Sequence, residues 1–81
     1  MENLLNRITS SPDISFGKPV IRGTRMAVLF LMEHLAAGDT TEEILEEFPF
    51  LEKEDILACL QYATQLMNKN SISQIIKLPA A

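Results

Sequence analysis

One histidine, His34, and one cysteine, Cys59, make a thiolate–imidazole pair the first chemistry to test in this chain. Such a pair needs both groups within hydrogen-bond reach and a third group to orient the base. The two residues fall on different predicted helices, and no carboxylate is obviously placed to orient His34. Cys59 lies three residues after Ile56 and four before Ala63, so it reads as small core filling. His34 reads as a polar flank on an apolar helix. A structural zinc site wants four Cys or His ligands, and only two exist. The acidic run Glu42, Glu43, Glu46 and Glu47 lacks the ligand spacing and turn glycine of a calcium loop, so it reads as a solvated helix face. The expectation is a non-enzymatic protein with no catalytic residue, metal or cofactor.

A second kind of chemistry is anion recognition. Gly17-Lys18-Pro19 is followed by Gly23-Thr24-Arg25, but the spacing of a nucleotide-binding phosphate loop is absent. Gly23 and Thr24 are expected to lead into a helix N-terminus, where backbone N–H groups attract anions. Arg22 and Arg25 flank that point, and guanidinium forks match phosphate or carboxylate. Lys18, Arg22, Gly23, Thr24 and Arg25 are therefore the candidate site for an anion, nucleic acid or partner. The competing reading has both arginines paired with the chain's own acids and Gly23 serving a sharp turn.

The elements that must position these residues follow from pattern. A β-containing head spans residues 1–25, with a short strand near Arg7-Ile8-Thr9 and an extended Val20-Ile21. A first helix is predicted from Met26 to Ala37, with Thr24 as N-cap and Gly38 as its stop. It is apolar almost all round, which calls for burial on every side. That points to a homodimer formed through Val28, Leu29, Phe30 and Met32. A second helix is predicted over Thr41 to Phe48, opened by a Thr40/Glu43 capping box and ended by Pro49. The third should run from Lys53 to Asn68 with Ile56, Leu60, Ala63 and Met67 on its buried face. Together these form one mainly α domain over residues 1–70, a helix-turn-helix tri-helical unit behind a short β head. Residues 71–81 make a C-terminal tail that could add an edge strand.

At 81 residues and a net charge of −4, this is one small domain rather than a general polyanion binder. The charge is uneven. Residues 1–26 carry four cations against two acids, net +2; residues 27–81 carry three against nine, net −6. A single cysteine excludes an internal disulfide and suits a reducing cytoplasm. The apolar stretch Met26 to Met32 is far too short to span a membrane. The third helix would open on Glu52-Lys53-Glu54-Asp55, and three acids there would repel phosphate in the usual recognition-helix docking. Any DNA contact belongs to the basic head.

Several stretches together resemble the bacterial domain-of-unknown-function 433 family. They are Arg7-Ile8-Thr9, the run from Gly17 to Arg25 (Gly-Lys-Pro-Val-Ile-Arg-Gly-Thr-Arg), Leu35-Ala36-Ala37-Gly38, Glu42-Glu43-Ile44-Leu45, Phe48-Pro49, Glu54-Asp55-Ile56 and Tyr62-Ala63. The resemblance covers about residues 6–67. It implies a homeodomain-like helical domain, in a family many of whose members are regarded as antitoxins encoded beside a PIN-like nuclease toxin. Two departures stand out. Glu52 replaces the usual hydroxyl before helix three, and Met26-Ala27 replaces the usual Ile-Pro. The resemblance implies an antitoxin that binds such a nuclease, with operator DNA as a second partner. The alternatives are a stand-alone DNA-binding regulator, or a structural dimerisation module that binds no nucleic acid.

Overall fold

A computed structural model describes residues 3–69. The predicted tail at 71–81 lies outside them. The chain is mainly α, with a two-stranded β head in front of three helices. A 3-10 turn, Leu4–Arg7, leads into β1 (Ile8–Thr9). After an irregular loop holding a second 3-10 turn at Ser15–Gly17, β2 (Val20–Ile21) pairs antiparallel with β1, Ile8 opposite Ile21 and Thr9 opposite Val20. Next come α1 (Val28–Ala36), α2 (Thr41–Glu47) and α3 (Lys53–Lys69). The long α3 is the spine: the first 3-10 turn, β1, α1 and α2 all pack against it.

The core is assembled from Ile21, Val28, Leu31, Ile44, Leu51, Ile56 and Cys59, drawn from β2, the three helices and the turn before α3. Val20 and Ile21 of β2 are both buried, Ile21 within the core cluster itself. The α2 capping box is present: Thr40 Oγ1 accepts from Glu43 N–H and Glu43 Oε1 accepts from Thr40 N–H, at 3.1 and 2.8 Å. At the end of α1, Gly38 has a φ of +100°. Its N–H donates to Leu35 C=O and the Asp39 N–H donates to His34 C=O, the paired bonds of a Schellman stop.

Two expectations need correction. Helix one does not begin at Met26, and Thr24 does not cap it. Its cap is Ala27, which makes no side-chain capping bond. The reason is β pairing: Val20 bridges to Ala27, Ile21 N–H donates to Met26 C=O, and Val28 N–H donates to Pro19 C=O. Those bonds hold Ala27 extended and keep the segment before it out of the helix. On α3, Leu60 and Met67 are exposed (41% and 54%), while Asp55, Ile56, Ala58 and Cys59 are buried. The buried face is turned so that Asp55 meets the head.

Candidate functional site

The Gly-Thr-Arg segment is a hairpin tip, not a helix start. Thr24 N–H donates to Ile21 C=O at 3.0 Å, closing a four-residue turn whose third residue, Gly23, has a φ of +80°. A positive φ at that place is what a type II turn requires and what glycine supplies without strain. The Thr24 hydroxyl braces the turn, donating to Ile21 C=O at 2.8 Å and accepting from Met26 N–H at 3.0 Å. With the amides of Thr24, Met26 and Val28 bonded internally, the expected cradle of free N–H groups does not form. What remains for recognition is side chain. Arg22 and Arg25 flank the turn, both exposed. Lys18 is exposed as well, but at the opposite end of β2, about 13 Å away along an extended chain. Among the described residues none of these three cations makes an ion pair.

Arg7 behaves differently. Its Nη1 donates to Asp55 Oδ1 at 2.9 Å and to Glu52 Oε1 at 2.7 Å. Its own C=O accepts from Arg22 N–H at 2.7 Å, so the base of the hairpin tip is tied to this node. Asp55 is buried, and its second oxygen accepts from Glu52 N–H at 2.8 Å. Glu52 is the N-cap position of α3 and Asp55 the third residue of the helix, so this bond is the carboxylate half of a capping box. The other half is absent: the Asp55 N–H donates to the Glu52 backbone C=O at 2.9 Å, and the Glu52 side chain accepts from Arg7 instead of capping the helix. Arg7, Ile21, Arg22, Thr24, Phe50, Glu52 and Asp55 line a depression of about 340 Å³. Both carboxylates bond Arg7, and Arg22 lines the same depression without an ion pair of its own among the described residues. The same pairing tempers the acidity expected at the start of α3.

His34 has an orienting carboxylate after all. The Schellman stop folds Asp39 back, and His34 Nδ1 donates to Asp39 Oδ2 at 2.6 Å. The imidazole also meets Phe30 and Phe48 edge-on, at centroid distances of 4.7 and 5.7 Å. Cys59 is fully buried. Burial, helped by the nearby Asp55 charge, pushes its thiol up from an ordinary 9.0 to about 12. A thiol held protonated there is a poor nucleophile. Among the described residues no group of three or more His, Cys, Asp or Glu is placed to hold a metal.

The four residues expected at a subunit interface divide. Val28 belongs to the chain's own core. Leu29 and Met32 line an apolar groove of about 340 Å³ between α1 and α3, completed by Pro19, Tyr62, Ala63 and Leu66. Phe30 points elsewhere, into the recess beside His34. Sequence reasoning missed Arg7, Asp55 and Asp39 as positioned groups. A carboxylate three residues after Glu52 was the readable sign for the first pair, and glycine-stopped α1 for the last. No helix among the described residues is long and apolar enough to cross a membrane.

Residues 8–63 match the profile of a protein family described as "Protein of unknown function (DUF433)". An uncharacterized protein, y4eO, from Sinorhizobium fredii is 46% identical over 56 residues. That match takes in 69% of this chain, and the chain spans about a quarter of the relative's length (25%). The crystal structure of a DUF433 member protein from Anabaena variabilis is similar with a TM-score of 0.72 at 32% identity, covering 90% of this chain and 70% of that one.

Proposed function

This chain belongs to the DUF433 family, whose function is unknown, and from that premise we propose that it is a non-enzymatic antitoxin. It binds a PIN-like nuclease through its acidic helical body and operator DNA through Lys18, Arg22 and Arg25, as a homodimer in the cytoplasm. The observation that carries the reading is the state of those three cations: exposed, and without an ion pair among the described residues, on a chain whose helical part is net −6. Glu52 and Asp55, which line a depression together with Arg22, make their ion pairs with Arg7 instead. Cations left uncompensated in an acidic protein favour an external polyanion. The apolar groove lined by Leu29, Met32 and Leu66, with Leu29 exposed, supports the homodimer, because a second copy laid along α1 and α3 would take this surface out of water. The buried, protonated Cys59 supports a role without thiol catalysis.

The test has two arms. Co-purification with the product of the adjacent nuclease gene, with loss of its RNase activity, is expected; an adjacent gene that encodes no nuclease, or an uninhibited one, overturns the antitoxin reading. Operator binding is measured against salt. Six phosphate contacts in a dimer predict a slope of log K on log salt of about −5. Replacing both Arg22 and Arg25 by Ala removes four of them and brings the slope to about −2. Unchanged binding in that variant removes the head from consideration. DNA binding without nuclease binding leaves a stand-alone regulator.

A further inference from the structure

We propose that the recess beside Phe30 receives an arginine side chain of a basic protein partner. The recess has a volume of about 280 Å³ and is lined by Phe30, Glu33, His34, Ala37 and Asp39. One side is aromatic. Phe30 stacks edge-on with His34 and with Phe48, and Phe48 continues to Phe50, so four rings run from α1 to the turn before α3. Phe30 and Phe50 at the two ends of this row are 41% and 58% exposed. The other side is acidic. Glu33 is exposed, and the Asp39 carboxylate is 40% exposed although Oδ2 already holds His34. No lysine or arginine of the described chain lines the recess.

This pairing selects its occupant. An apolar side chain would cover the rings while stripping water from two carboxylates it cannot satisfy. A simple metal ion would find only the carboxylates. A guanidinium can lie on an aromatic face and donate to carboxylates in the same plane, which an ammonium does less well. The body around it is net −6, so a basic protein is drawn to this side of the molecule. The inference rests on reading that body as the half that holds a protein partner, and it names the contact.

The probe is N-acetyl-arginine methylamide, titrated into the full chain and followed by backbone amide NMR. The lysine analogue and sodium chloride at equal ionic strength serve as references. Saturable shifts confined to Phe30–Asp39 and Phe48–Phe50 are expected, stronger for arginine than for lysine. Phe30→Ala should weaken the effect about 2- to 5-fold. Glu33→Gln, at an exposed position, gives a second variant that leaves the fold alone and should weaken it too. Equal shifts along Glu42, Glu46 and Glu47, or indifference to both substitutions, overturn the proposal. Self-association of the free chain that vanishes on Phe30→Ala and equally on replacing Arg22 and Arg25 also overturns it, since the occupant is then a second copy. The two readings fail separately: a saturable arginine site in a protein that does not inhibit the nuclease removes the antitoxin and keeps the recess.

Discussion

Replacing Asp55 by Ala should be among the most damaging single changes in the chain. Asp55 is 7% exposed and does two jobs, one with each oxygen. Loss of the bond from Arg7, a hydrogen bond between charged groups, costs about 1.5–3 kcal/mol. Loss of the bond from Glu52 N–H, a helix-capping bond, costs about 1 kcal/mol more. The sum, about 3 kcal/mol, is a large share of the roughly 4–12 kcal/mol that a chain of this size is expected to have. Urea unfolding followed by circular dichroism at 222 nm would read it, and a thermal scan should show a fall of about 12–24 °C. Glu52→Gln is the control. Its side chain is 65% exposed, so its pairing with Arg7 is screened by water and should contribute under about 1 kcal/mol. Hydrogen exchange adds a local readout: the Arg22 amide, bonded to Arg7 C=O, should lose protection with Asp55→Ala. An Asp55→Ala variant within 1 kcal/mol of the native protein, or no worse than Glu52→Gln, would refute the claim that this node fastens the head to α3.

Three further outcomes follow from single sites. Phe16 sits in the left-handed region with a φ of 57° while its ring is 98% exposed, so it stores about 1–2 kcal/mol of strain with no packing in return. Phe16→Asn should raise the urea midpoint by an amount worth about 1 kcal/mol; a fall would show that the ring is needed. The Cys59 thiol has a folded value of about 12 against an ordinary 9.0, so between those limits the unfolded chain gives up a proton that the folded one keeps. Stability is then lost as pH rises from 9 toward 12, at about 1.4 kcal/mol per unit, and Cys59→Ala should show a shallower decline over the same range. Leu29 is 56% exposed on the edge of the α1–α3 groove, so Leu29→Glu should leave the thermal midpoint of the monomer nearly unchanged while shifting sedimentation from dimer to monomer; a native protein that already sediments as a monomer at micromolar concentration removes the dimer.

The helices were legible because their boundaries are written in local chemistry. Thr40 with Glu43, Pro49, and Gly38 each act on the backbone next to them: α2 begins after Thr40 and ends before Pro49, and α1 stops before Gly38. The start of α1 was not legible for a complementary reason. Thr24 is a good cap in isolation, but whether residues 24–27 turn helical depends on whether Val20 and Ile21 find them first, and β pairing is a long-range event. Arg7 illustrates the same limit for the site. Counted by position it adds to the basic head, yet it lies 45 and 48 residues from its two carboxylates, and no window along the chain connects them. The face of α3 was misjudged by one position because hydrophobicity alone chose Leu60, whereas the helix is rotated to bring a charged residue, Asp55, inside.

Folding narrows the charge split that the chain carries in outline: with the Arg7 node set aside, residues 1–26 fall from +2 to +1 and residues 27–81 from −6 to −4. Arg7 leaves the basic side and Glu52 and Asp55 leave the acidic side, since one guanidinium and two carboxylates meet across the joint between head and body, with a net charge of −1. The cations that remain lie at Arg22 and Arg25 on the hairpin tip, and at Lys18 by the other end of β2. The aromatic recess with Glu33 and Asp39 lies at the C-terminal end of α1, and the apolar groove runs between α1 and α3. No lining residue is shared by the depression under the hairpin tip, the recess and the groove. A polyanion, a basic protein and a second copy could therefore be held at once without competing for the same side chains. The Arg7–Asp55 node is one route of coupling between them, beside the bonds linking Pro19 and Ile21 to the start of α1, because it fixes the backbone under the hairpin tip to the helix that also forms one side of the groove. A change at Asp55 should thus weaken operator binding and loosen the dimer together, whereas a change at Phe30 should leave both untouched.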